Sequence, residues 1–162
     1  MSVSARLREY LDQNNVKYVS IAHSKAYTAQ EVAQSMHVKG KEIAKTVILK
    51  VDDKPVMAVL PASHKVNIDA LCRNIGGREA RLATEDEFRD LFNDCEIGAM
   101  PPFGNLYGLP VYMSEALQDD EEIFFNAGTH TDAIKMRLSD YVNLVNPIVA
   151  RFAEQAAGQA VR

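Results

Sequence analysis

The sequence predicts a mixed α/β domain, and three observations predict it. The chain has 162 residues, 47% of them hydrophobic and 25% charged, which is enough apolar material for one self-sufficient core and a tight fit for two. Its β-rich runs alternate with short amphipathic stretches that carry helix caps. No repeat, low-complexity block or polar linker divides it.

The elements follow in order. Ser4 precedes ARLREYLDQNN, where Leu7, Tyr10 and Leu11 recur at helical spacing and Asn14-Asn15 ends the run. This predicts an N-terminal helix with a serine cap. VKYVSIAH places Val16, Tyr18 and Ile21 in a strand pattern, and Thr28 with Glu31 forms a capping box that opens a second helix, TAQEVAQSM. Two β-rich runs, 46–51 and 56–60, flank Asp52-Asp53-Lys54-Pro55 and predict a hairpin. HKVNIDALCRNIGG holds a short helix from about Asn67, stopped by Gly76-Gly77, and ATEDEFRDLFN holds another with Thr84 as its cap and acids in its first turn. In GAMPPFGNLYGLPVYM, prolines and glycines break any helix ahead of a short strand at 111–113. EEIFFNAG predicts a strand ending in a glycine turn, THTDAIKMRLSDYVNLV a mixture of strand and helix, and the Ala/Gln-rich tail from Ala150 a frayed end.

Charge narrows the function classes. The net charge is −4, from 18 Lys and Arg against 22 Asp and Glu, and no basic run appears. That argues against a broad electrostatic grip on nucleic acid and leaves a local one, a few lysines around one pocket. No apolar run approaches the roughly 20 residues that cross a bilayer, and the opening MSVSARLREY is charged rather than signal-like. The expectation is a cytoplasmic protein without a membrane partner. Cys72 and Cys95 form no CxxC pair and are read as buried small hydrophobes, with a reactive thiol as the alternative. His23, His37 and His64 have no metal-ligand spacing, so no metal is expected. A GxSxG elbow, a P-loop and a GxGxxG are all missing.

Three clusters are candidates for chemistry. Lys45 opens AKTVILK, a run otherwise apolar enough for an inner strand; an ammonium there needs either water at a rim or an anionic ligand. The loop 98–104, GAMPPFG, combines glycines that allow close backbone approach with prolines that remove freedom. Its amides are candidate oxyanion donors, each worth about 2.7–4 kcal/mol when preorganised. The stretch 126–132, NAGTHTD, gathers small polar side chains behind an apolar strand, with His130 able to donate to a carbonyl or steer a water. Each has a plain structural alternative: a strand-end lysine in solvent, a rigid connection, and a satisfied surface histidine.

In this order, EIAKTVILK, the G-x-x-x-P spacing of Gly98 and Pro102, and FNAGTHTD resemble the YbaK/ProX family of trans-editing deacylases, related to the editing insertion of bacterial prolyl-tRNA synthetases. The likeness covers nearly the whole chain. It implies a curved, barrel-like mixed sheet wrapped by helices, a pocket for the aminoacylated 3′ end of tRNA, and cofactor-free hydrolysis of the ester on the terminal ribose. It implies that Lys45 anchors the acceptor-end phosphate, with Gly98, Pro102 and His130 completing the catalytic set. The substrate-binding residues it implies are Tyr27, Thr46, Ala99, Met100, Pro101, Phe103, Gly104, Asn126, Gly128 and Thr129. A histidine at 130 resembles the alanine-specific branches and favours Ala-tRNA(Pro), with Cys-tRNA(Pro) or Ser- and Thr-charged tRNA as alternatives. A tRNA synthetase is the implied protein partner. A tRNA- or nucleotide-binding module without hydrolysis is the rival of a different class.

Overall fold

The computed structural model describes residues 5–22 and 43–155. The Ser4 cap, the Thr28–Glu31 box with its helix, Tyr27, His23 and His37 lie outside these residues. Helix α1 (Ala5–Gln13) buries Leu7 and Leu11, and Asn15 beyond it takes a φ of +55°. Strand β1 (Tyr18–Ala22) follows. Strands β2 (Ala44–Val51) and β3 (Lys54–Pro61) form the expected hairpin in register Val51 to Lys54. Its two turn residues, Asp52 and Asp53, sit at φ +49° and +66°, the left-handed pair that matches the twist of a tight hairpin.

After a short strand β4 (His64–Val66), helix α2 (Ile68–Ile75) begins where the Asn67 side chain accepts the Ala70 amide and ends at Gly76, φ +81°. Strand β5 (Ala80–Leu82) leads to α3 (Glu85–Phe88), opened by a Thr84–Glu87 capping box and continued as a 3₁₀ turn over Arg89–Phe92. The remaining elements are β6 (Val111–Ser114), β7 (Glu122–Asn126), β8 (Asp132–Arg137), α4 (Leu138–Val145), β9 (Ile148–Ala150) and β10 (Ala153–Gln155).

The mixed α/β class is as expected. A five-stranded mixed sheet runs β5-β2-β3-β6-β9, with β6 parallel to β3 and to β9, and a three-stranded antiparallel sheet runs β1-β8-β7. The two sheets touch through one parallel bridge, Ile43 to Phe124. Among the described residues they form a barrel-like shell that does not close. Alternation along β2 sorts its side chains between two cores. Ala44 and Ile48 join Met57, Val59, Phe103, Phe125, Ile134 and Tyr141 between the sheets, while Leu49 and Val51 join Leu60, Leu71 and Phe152 beneath α2.

Of the tail expected to fray from Ala150, residues 150–155 are held in place, and 156–162 lie outside the described residues. Phe152 is 1% exposed within the second core, its carbonyl accepts the Asn67 amide at 2.6 Å, and β10 pairs with β4 as far as Gln155. Composition pointed to fraying, but one buried aromatic ring anchors this segment.

Candidate functional site

The bridge between Ile43 and Phe124 marks the place where β2 and β7 diverge. Ile43 and Phe124 pack with Ala133, and Ile21 and Ala62 close around them. Side chains two residues apart share a face of a strand, so Lys45 follows Ile43, and Asn126 follows Phe124, onto the same side of this fork. One strand therefore delivers an ammonium and the other a carboxamide to the edge of a small apolar floor.

Among the described residues neither group is satisfied. Lys45 is half-buried, and partial burial pulls its pKa below the ordinary lysine value; among the described residues no carboxylate pairs with it. The Asn126 side-chain oxygen is buried without a hydrogen-bond partner among the described residues, a state that costs about 1–3 kcal/mol. His64 joins the fork from β4, because the chain turns back after Ala62, whose amide donates to the Ile43 carbonyl at 2.7 Å. Burial lowers the His64 pKa, and the Lys45 charge beside it lowers it further. Its Nδ1 lies 3.2 Å from Ser63 Oγ. The sequence gives His64 no metal-ligand spacing and so no role in a site. The legible signal was its place three residues beyond Pro61, which pairs with Ala44.

The other two candidate clusters are bonded to each other. The Glu96 amide donates to the Gly128 carbonyl at 2.7 Å, and the Gly128 amide to the Ala99 carbonyl at 2.9 Å. The His130 amide donates to Glu96 Oε1 at 2.7 Å, and His130 Nε2 lies 2.8 Å from the Ile97 carbonyl. The exposed imidazole thus lies over Gly98, whose φ of +87° no other residue adopts cheaply. Thr129, 1% exposed, donates to Asp132 Oδ2 at 2.6 Å and receives the Thr131 amide, so it braces the turn from within.

Most of the loop 98–104 faces inward. Ala99, Met100, Pro101, Pro102, Phe103 and Gly104 are buried. Phe103 packs against Tyr10, Phe125 and Tyr141, and Tyr141 donates to the Pro102 carbonyl at 2.6 Å. A Cβ on Gly104 would stand 2.7 Å from Val111 Cγ2, so packing requires that glycine. The oxyanion role expected of the loop narrows accordingly. The amides of Ala99 and Phe103 donate to Glu96 and Pro101 carbonyls, that of Gly98 to the Met100 sulfur, and the prolines have none. Thr46 lies on the face of Ala44 and Ile48, opposite Lys45. The structure brings Lys45, Asn126 and His64 to one fork and Gly98, Gly128 and His130 to one rim; Phe103 and Gly104 serve the core.

Cys72 is buried and Cys95 half-buried. Burial pushes the Cys95 thiol up to about 12, against the opposing effect of the Tyr107 hydroxyl 3.3 Å away. A cleft of about 420 Å³ lies at the far end of β2, lined by Lys50, Asp52, Arg78, Glu79 and Arg81. Its charges are largely engaged internally: Asp52 accepts the Arg78 and Glu79 amides, and Arg81 forms a forked pair with Glu87. Among the described residues no helix is long and apolar enough to cross a membrane, and no three ligating side chains are grouped to hold a metal.

Residues 23–144 match the model of the aminoacyl-tRNA editing domain. The chain is 27% identical over 156 residues, 93% of each chain, to the multifunctional Ser/Thr-tRNA deacylase ProXp-y of Escherichia coli K12. It is 34% identical over 76 residues to the proline–tRNA ligase of Bacillus cytotoxicus, 46% of this chain and 13% of that one. Its fold superposes with a TM-score of 0.80 on a candidate trans-editing enzyme for prolyl-tRNA synthetase, at 24% identity over 93% of this chain and 96% of the other.

Proposed function

The chain belongs to the aminoacyl-tRNA editing domain family, and we propose that it hydrolyses the ester of a small, wrongly attached amino acid on tRNA, with Ala-tRNA(Pro) as its principal substrate. The observation that carries this reading is the half-buried Lys45 ammonium without a carboxylate partner among the described residues. A desolvated cation needs an anion, and the 3′ end of a charged tRNA brings a phosphate. The net charge of −4 fits contact with that terminus alone, with a tRNA synthetase as the partner that holds the tRNA body. Translation in the cytoplasm is the setting this substrate requires.

In the proposed reaction a water oxygen attacks the ester carbonyl, the bond from that carbon to the ribose oxygen breaks, and the ribose oxygen takes the proton. The neighbouring ribose hydroxyl orients the water. Lys45 holds the phosphate and His130 positions the other end through Nδ1, since its Nε2 is engaged by Ile97. Serine or threonine as the amino acid removed is the second reading, favoured by the Escherichia coli relative that matches over 93% of the chain. Release of amino acid from tRNAs charged with Ala, Ser, Thr, Cys and Pro, measured for the parent and Lys45→Ala, tests both. Selective release from Ala-tRNA(Pro), lost in the variant, is the expected result; release from none leaves a binding module.

A further inference from the structure

We propose that Asn126 recognises the free α-amino group of the substrate, its side-chain oxygen accepting a hydrogen bond from the ammonium beside the ester. The inference rests on the deacylase reading above and assigns one atom of the pocket to one atom of the ligand.

Buried side-chain acceptors are almost always paired, and an exception calls for a reason. Asn126 Oδ1 is such an exception. It stands where β7 ends, on the face of the strand that carries Phe124, beside the point where Ile43 bridges the two sheets. Lys45 occupies the matching position on β2. Among the described residues the fork therefore carries a donor without an acceptor on one arm and an acceptor without a donor on the other, and the two do not satisfy each other. A ligand that fits has an anionic or carbonyl oxygen for Lys45 and an N–H or O–H donor for Asn126.

An aminoacyl ester at a tRNA terminus has both, and its strongest donor is the ammonium, with its charge and lack of acceptor capacity. The residue type agrees. A carboxylate at 126 would be drawn to Lys45 and fill the gap with an internal ion pair; a neutral carboxamide leaves Lys45 for the phosphate and offers its oxygen to the amine. No cross-strand role competes, because its partner across β7 and β8 is Ala133, which supplies no polar side chain.

The test compares the fastest charged tRNA of the panel with the same tRNA carrying an N-acetylated amino acid, for the parent and Asn126→Ala. The parent is expected to prefer the free amine at least tenfold in kcat/KM. The variant is expected to lose at least tenfold on the free amine and to stay within twofold on the N-acetyl substrate, with an unchanged Tm. Equal hydrolysis of both substrates by the parent, equal losses on both in the variant, or a fall in Tm in place of the selective loss would overturn the proposal while leaving the deacylase reading intact. If no charged tRNA is hydrolysed, the deacylase reading fails by itself, and calorimetry with 3′-alanylamido-3′-deoxyadenosine and its N-acetyl derivative decides this one. Tenfold tighter binding of the free amine, abolished in Asn126→Ala, supports it; equal binding, or binding of neither, overturns it.

Discussion

His130 Nε2 lies 2.8 Å from the carbonyl oxygen of Ile97. A carbonyl only accepts, so the Nε2–H is the donor, and Nδ1 is the ring nitrogen left for a ligand or water. The same contact ties the turn at 128–132 to the entry of the GAMPPFG loop. The ring is thereby held over Gly98 at the rim. His130→Ala is expected to lower kcat/KM for deacylation roughly 10- to 100-fold, the scale of a lost positioning contact. Its thermal stability should stay close to the parent's, because the side chain is exposed. Kinetics and a melting curve on one preparation check both.

Gly98→Ala tests the geometry beneath that ring. The new Cβ would meet His130 Cε1 at 3.4 Å, and φ would remain at +87°. The expected cost is about 1–2 kcal/mol of stability, accompanied by a loss of activity larger than that cost explains, because relaxation of the strained backbone moves the adjoining Ile97 carbonyl that holds the imidazole. Retained activity at reduced Tm would show that the ring position is not used.

Lys45 and His64 are expected to report on each other. Burial lowers the His64 pKa first and the Lys45 charge adds to it; Lys45→Met should therefore raise it, as an NMR titration of the imidazole will read. The lowered folded value also sets the pH dependence of stability. The unfolded chain takes up the proton more readily, so stability is intact above the ordinary histidine pKa of about 6.5 and falls as pH drops below it toward the folded value. His64→Gln should flatten that part of a denaturant-midpoint profile.

The thiols are expected to be bystanders. Cys95 is pushed up to about 12, so it supplies almost no thiolate at neutral pH, and Cys72 is buried away from solvent. The Cys72→Ser, Cys95→Ser double variant should keep deacylation within about twofold, and iodoacetamide at pH 8 should label the folded parent slowly. Rapid labelling accompanied by inactivation would reopen a cysteine mechanism.

Phe152→Ala checks the C-terminal strands. The ring is 1% exposed and packs with Leu60 and Leu71, so its removal should cost about 3–5 kcal/mol. A loss below 1 kcal/mol would mean that the segment from Ala150 adds little to the core.

The sequence by itself determined the local elements and the candidate clusters. Periodicity, caps and turn residues act within a few positions of one another, so the hairpin joined through residues 52–55, the α2 stop at Gly76 and the Thr84 cap were legible, while the two-residue turn and the reciprocal Glu87 bond came from the structure. So were Lys45 as a costly strand residue and the stretches around Gly98 and His130 as unusual loops. Only the tertiary structure decided which of these meet. His64 comes within electrostatic reach of Lys45 because β4 folds back beside the hairpin, a proximity without sequence spacing. Phe103 and Gly104, indistinguishable in the text from their loop neighbours, became core because Tyr10, Phe125 and Val111 close over them. Phe152 anchors residues 150–155, the described part of a tail whose composition points to fraying. Burial is a property of the packed molecule, shared among residues far apart in the chain, and neither it nor the pairing of polar groups can be read from the order of the residues alone.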